Sequence, residues 1–148
     1  MKKILFIAPS SIPINGPESI CNYKIIKFLS SLNYHLDIIS KDVFNSEYPS
    51  ISDTENLNVN VQIIRVSNKF NVSTIYTHFL CFIKTGYIYK GSHWAVPAIA
   101  AGEKLIENTN YDYIFTRSSP SEIVGVYLAK KYNLKLITNF NDPFPIES

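Results

Sequence analysis

The run from Lys3 to Ala8 is continuously apolar, the pattern of a strand covered on both faces. After a loop containing Pro9, Pro13 and Pro17, residues Ile25, Phe28, Leu29 and Leu32 recur at helical spacing. They predict a helix over Glu18 to Leu32. Pro17 suits its first position, and Glu18 its positive end. Tyr34 to Ser40 reads as a second strand, and the polar stretch from Lys41 to Asn58 as a long loop. Val59, Val61 and Ile63 then alternate with Asn60 and Gln62, which predicts a half-exposed strand near a sheet edge.

Ser73 to Tyr89 is predicted helical, although rich in aromatic and β-branched residues, and Gly91 breaks it. A further helix over His93 to Asn108 carries Trp94, Pro97, Ala98, Ala101 and Leu105 on one stripe. Tyr111 to Thr116 is the fourth strand. In Ser119-Pro120-Ser121-Glu122 the spacing predicts a helix start, with Ser119 capping and Glu122 completing the box. That helix runs to Tyr132, and Leu134 to Thr138 is the fifth strand. This order implies an α/β fold: a three-layer, Rossmann-like parallel sheet with strand order 3-2-1-4-5. The switch point falls between the first and fourth strands, where open α/β sheets bind ligands.

Three unusual segments follow strands and so share that rim. In the first, Asn15-Gly16-Pro17-Glu18 lets backbone approach a ligand closely at a helix N-terminus, a position suited to an anion. A tight turn into a helix explains it equally well. In the second, Arg117 and Ser118 are the better ligand contacts, because Ser119 is spent on capping. In the third, Asn139 to Pro145, Asp142 could take a proton from a sugar hydroxyl or tie down a Pro-rich turn. No GxGxxG, GxxxxGK[ST] or GxSxG is present. His35, His78 and His93 have no ligand-spaced partners, so no metal site is expected.

With 148 residues, 46% of them apolar, the chain can bury one core and fold unaided. A net charge of +2 without a basic run argues against nucleic acid as a partner. Cys21 and Cys81 read as a pair of buried, reduced thiols. The apolar stretch after Met1-Lys2-Lys3 is too short for a signal peptide, and no run approaches a spanning helix, so a cytoplasmic location is expected. Lys69, Lys84 and Lys90 interleave with Phe70, Tyr76, Phe79, Phe82, Tyr87 and Tyr89. Such a stretch can lie peripherally on an anionic membrane, here the inner membrane face, although a helix with a core side and a solvated side is the commoner explanation.

Taken in order, these segments resemble the N-terminal half of a family 4 glycosyltransferase of the GT-B fold. Lys3-Ile4-Leu5-Phe6-Ile7-Ala8-Pro9 with Gly16-Pro17-Glu18 is similar to that family's first strand and glycine loop. Leu32 to Ser40 is similar to its second strand. Trp94, Pro97 and Ala98, then Tyr111-Asp112-Tyr113-Ile114, Ser118-Ser119-Pro120, Lys130-Lys131-Tyr132 and Asn139 to Phe144 resemble a series found in a bacterial subgroup. Asn139 and Asn141 stand where that subgroup has Asp and Arg, and one glycine stands where the family often has two.

The resemblance implies a retaining transfer of a sugar from a nucleotide-sugar donor to a glycan or lipid-linked acceptor in surface polysaccharide biosynthesis. No cofactor or metal is implied. Residues 1–148 would form the acceptor-side domain, with the donor-binding C-terminal domain absent and the fragment inactive alone. Asp142 would be catalytic, and Asn15, Gly16, Glu18, Arg117, Ser118 and Asn141 would bind substrate. Two other readings stay open: a fragment of a GT-B sugar-nucleotide epimerase, and a non-catalytic binding subunit that completes its site with a partner chain.

Overall fold

In a computed structural model the described residues are 1–12, 14, 16–42, 60–67, 74–86 and 92–140. Along them run β1 (Lys3–Ile7), α1 (Pro17–Ser31), β2 (His35–Lys41), β3 (Val61–Val66), α2 (Thr74–Thr85), α3 (Ser92–Asn108), β4 (Tyr113–Arg117), α4 (Ser121–Tyr132) and β5 (Lys135–Asn139). The five strands form one parallel sheet in the order β3-β2-β1-β4-β5, as the sequence predicts. Ile7 is level with Ile39 on one side and Thr116 on the other, and Arg117 is level with Asn139. The loops after β1, β4 and β5 therefore leave at the same rim.

Each sheet face has its own core, because side chains alternate along a strand. On one face Leu5, Ile7, Ile39 and Ile114 pack with Trp94, Ala95, Ala98 and Ile99 of α3 and with Val124 and Leu128 of α4. Close approach of α4 depends on Gly125, where a Cβ would stand 2.2 Å from Thr116 Cγ2. On the other face Ile4, Phe6, Leu36 and Ile38 pack against Ile26 of α1. There the Phe6 and Phe115 rings stack at 5.0 Å. Helices α1 and α4 both stop at asparagines in the left-handed region, Asn33 (φ 63°) and Asn133 (φ 53°), a conformation Asn tolerates better than most residues.

Several local expectations change. The stripe of α1 turned fully inward is Ser19, Asn22, Ile26 and Ser30, whereas Phe28 and Leu32 are exposed. Ile25 and Leu29 do pack against the core, and beside them Asn22 closes on the β1–α1 loop through the Ser10 carbonyl while Ser30 bonds Asn60. Cys81 is buried as expected, but Cys21 is exposed on α1. Ser119 does not cap α4: Pro120 occupies the N-cap position, and the Ser119 hydroxyl donates to the Glu122 carboxylate instead. The third strand begins at Val61, and Val59 lies outside the described residues. No helix among the described residues is long and apolar enough to cross a membrane.

At the opposite, N-terminal edge of the sheet, Tyr111 donates a hydrogen bond to the buried Asp37, and His35 Nε2 stands 3.3 Å from the other carboxylate oxygen. Burial, and then this bond to Asp37, push the Tyr111 phenol far above its ordinary range. An open recess of about 320 Å³ lies at the same edge, lined by Met1, Lys2, Leu32, Asn33 and Tyr34. None of the candidate catalytic or substrate-binding residues lines it.

Candidate functional site

The site at the switch point begins with how α1 starts. Gly16 is its N-cap, extended at φ −128° and ψ 159°, and Pro17 is the first helical residue. Ile20 N–H donates to the Gly16 carbonyl at 3.0 Å, so the helix is well formed from its first turn. Most helices cap this end with a Ser, Thr, Asp or Asn side chain. Gly16 has none to offer, and no side-chain cap is made. The positive end of the helix dipole thus meets the rim beside backbone rather than behind a capping hydroxyl.

Beneath that turn lie three fully buried polar side chains, Ser11, Ser19 and Asn22. Asn22 Nδ2 donates to the Ser10 carbonyl at 2.5 Å. Asn22 Oδ1, Ser11 Oγ and Ser19 Oγ have no hydrogen-bond partner among the described residues. Leaving such an atom unsatisfied costs about 1–3 kcal/mol. Three of them beside one helix terminus mark a place where polar capacity is concentrated. A sequence reading that looks for apolar stripes misses all three. The signal was present in Ser19 and Asn22, polar residues three apart on one side of a helix.

The loop is held by a residue the sequence reading also missed. Arg65, near the end of β3, donates to Ser40 Oγ at 3.0 Å, to the Lys41 carbonyl at 3.2 Å and to the Ile12 carbonyl. Ser40 Oγ in turn donates to the Pro9 carbonyl at 3.1 Å. Burial lowers the Arg65 pKa below its ordinary value, and Asp42 offsets part of that. Arg65 is therefore a brace from the sheet edge to the β1–α1 loop. In Val-Gln-Ile-Ile-Arg-Val it shares a face with Val61 and Ile63, and a charge on that face is the clue.

Across the switch point, Arg117 ends β4 on the face it shares with Tyr113 and Phe115, which is the face α1 covers. Its Nε is buried without a partner among the described residues. Ser118 adopts the left-handed region at φ 68°, and its carbonyl accepts both the Ser121 N–H at 2.9 Å and the Ser121 hydroxyl at 2.6 Å. Glu18 lies in the first turn of α1 and is half-buried. Gly16, Glu18, Arg117 and Ser118 thus share one rim. Asn15, Asn141 and Asp142 lie outside the described residues, and Phe140 is the last described one on the third segment. Among the described residues there is no group of three or more His, Cys, Asp and Glu suited to a metal, although the His78 and His93 rings are 6.1 Å apart.

No family model and no curated protein matches the chain. Solved structures do. Sucrose-phosphate synthase from Thermosynechococcus elongatus superposes with a TM-score of 0.63 and 13% identity, over 96% of this chain and 33% of that one. UGT2 of Phytolacca americana, solved with UDP-2-fluoro-glucose and pterostilbene, gives 0.58 and 13% over 95% of this chain and 31% of that one. The C-terminal domain of the PF1911 hydrogenase from Pyrococcus furiosus gives 0.58 and 16% over 93% of this chain and 91% of that one. What they share with it is the fold. The chain spans about a third of the two GT-B glycosyltransferases and nearly all of the hydrogenase domain.

Proposed function

We propose that the chain is the acceptor-side half of a retaining glycosyltransferase, acting with a donor-binding domain on a nucleotide-sugar and a glycan or lipid-linked acceptor. One observation carries the reading: an uncapped helix N-terminus and Arg117 stand on the same sheet face at the switch point of a GT-B-like half. The α1 terminus, with Asn15, Gly16 and Glu18 around it, meets the donor diphosphate when the two domains close. A helix terminus contributes about 0.3–1 kcal/mol to a nearby charge, so Arg117 and the second domain must supply the rest. Ser118 and Asn141 contact sugar hydroxyls. Asp142 orients the acceptor hydroxyl and takes its proton as that oxygen bonds the anomeric carbon and the diphosphate oxygen leaves.

A second reading is a binding subunit completed by a partner chain. The likeness to a hydrogenase domain of about this length favours it. A coding frame that runs on past Ser148 into a second α/β domain supports the transferase, and a natural stop there supports the subunit.

The rim itself is tested by titrating the ¹⁵N-labelled chain with inorganic pyrophosphate and with UDP. Amide shifts centred on Gly16, Glu18, Ser19 and Ser118 are expected, with weak affinity for the half alone. Shifts confined to Met1, Leu32 and Asn33, or none with either probe, overturn the reading.

A further inference from the structure

The β1–α1 loop spends its acceptors and keeps its donors. The Pro9 carbonyl accepts the Lys41 N–H at 3.0 Å and the Ser40 hydroxyl at 3.1 Å. The Ser10 carbonyl accepts Asn22 Nδ2 at 2.5 Å, and the Ser11 carbonyl accepts the Ile14 N–H at 3.1 Å. In a trans peptide the N–H points opposite to the carbonyl. The Ser10, Ser11 and Ile12 N–H groups are therefore turned away from those partners, and none meets an acceptor among the described residues. Ser10 is half-buried, while Ser11 and Ile12 are buried behind it. Successive peptides with unspent N–H groups present fixed positive dipoles to an anion.

The next peptide breaks this pattern. Pro13 follows Ile12, so that unit carries a carbonyl and no N–H. Left bare, its oxygen would add a negative pole to a loop whose preceding carbonyls are all engaged. Arg65 engages it: the guanidinium donates to the Ile12 carbonyl from β3, two strands away from β1. Its bonds to Ser40 Oγ and the Lys41 carbonyl anchor it to β2. An ionised donor makes a stronger tether than a neutral one, and its charge offsets the pole of the oxygen it holds. We infer that Arg65 is a positioning residue for an anion at this rim: it holds the Ile12 carbonyl back, so that the loop meets the anion with N–H groups alone. Arg65 needs no contact with the ligand and acts through that oxygen. The inference rests on the reading of the rim as an anion site, and adds the residue that sets the polarity of its loop.

The test is a titration of the ¹⁵N-labelled chain with inorganic pyrophosphate, in the parent and in Arg65→Met, Arg65→Lys and Tyr111→Phe, at a temperature where melting curves show all four folded. Arg65→Met should weaken binding about tenfold, as expected for the loss of one charge-assisted bond. If that variant does not fold, Arg65→Gln, with a shorter reach and no charge, carries the comparison with the same expected loss. Arg65→Lys keeps a cationic donor and should stay within about threefold of the parent. Tyr111→Phe lies at the opposite edge of the sheet and should bind as the parent does, although it too loses stability. Equal weakening in Arg65→Met and Tyr111→Phe would show affinity following stability, and would overturn the inference while leaving the rim reading intact. So would a lysine variant as weak as the methionine one. A parent that binds no pyrophosphate overturns the rim reading first, and the inference falls with it.

Discussion

The two turns beside the switch point begin alike, each carrying a strand into a helix over a short polar segment, yet they satisfy their polar groups differently. After β4 the turn closes on itself. The Ser118 carbonyl accepts two bonds from Ser121, and the Ser119 hydroxyl meets Glu122. After β1 the turn is held from outside, by Arg65 and Ser40, while Ser11 Oγ, Ser19 Oγ and Asn22 Oδ1 go without partners among the described residues. Preorganisation of this second kind keeps polar capacity unspent. A loop that satisfied itself would need no brace, and a braced loop can hold donors and acceptors ready for something else.

The largest effect should come from removing the brace. Arg65→Met strips the Ile12, Lys41 and Ser40 acceptors of their donor and should cost about 2–3 kcal/mol in urea unfolding followed by Trp94 fluorescence. Arg117→Met, across the switch point, removes a buried Nε that holds no described partner, so stability should hold or rise. That variant should weaken pyrophosphate binding instead. Equal stability losses in the two variants would erase the distinction between brace and ligand contact.

Next in size is the base of the sheet, where Tyr111 donates to one oxygen of the buried Asp37 and His35 stands near the other. Tyr111→Phe leaves Asp37 without its phenol donor and should cost about 1–3 kcal/mol. The phenol pKa is raised in the folded chain, so its contribution is fully present below the ordinary tyrosine value of 10.0 and is lost as pH climbs above it. The parent should therefore lose stability above that pH more steeply than Tyr111→Phe does. Parallel pH profiles would show that the Asp37 contact does not hold the proton.

How much of this was legible before any coordinates? The strands and their order were, because a buried parallel strand such as Lys3–Ile7 reads as an apolar run and an edge strand such as Val61–Val66 as alternation. The facing of α1 was legible in part, since Ile25 and Leu29 pack against the core as their spacing predicts. Phe28 and Leu32 count as core residues by periodicity, yet the helix turns Ser19 and Asn22 inward to close its loop. Periodicity finds the apolar part of the inward side, and misses the polar part beside it that meets the loop. Arg65 was hidden for the same reason, since its partners are two carbonyls and a serine distant in sequence. The rim position of Gly16, Arg117 and Ser118 was legible from strand order alone. Their partners were not.

A pair of serine substitutions gives a smaller and sharper contrast. Ser121→Ala removes a hydroxyl bonded to the Ser118 carbonyl and should cost about 1 kcal/mol. Ser19→Ala removes a buried hydroxyl that has no described partner, so stability should hold or rise slightly while pyrophosphate affinity falls. If Ser19→Ala costs as much as Ser121→Ala, the β1–α1 turn is as self-satisfied as its counterpart.

The smallest stability change is also the most direct test, because its two readouts should move in opposite directions. Gly16 is extended, at φ −128°, a conformation any residue adopts, so substitution there brings no backbone strain. Gly16→Ser supplies the capping hydroxyl that α1 lacks and should stabilise the chain by a few tenths of a kcal/mol. That hydroxyl would occupy the same amide groups an incoming phosphate needs, so pyrophosphate affinity should drop as stability rises. A capping serine that improves both would mean the helix terminus is not where the anion sits. One that improves stability alone would mean the glycine is kept for binding, at a small cost to the fold.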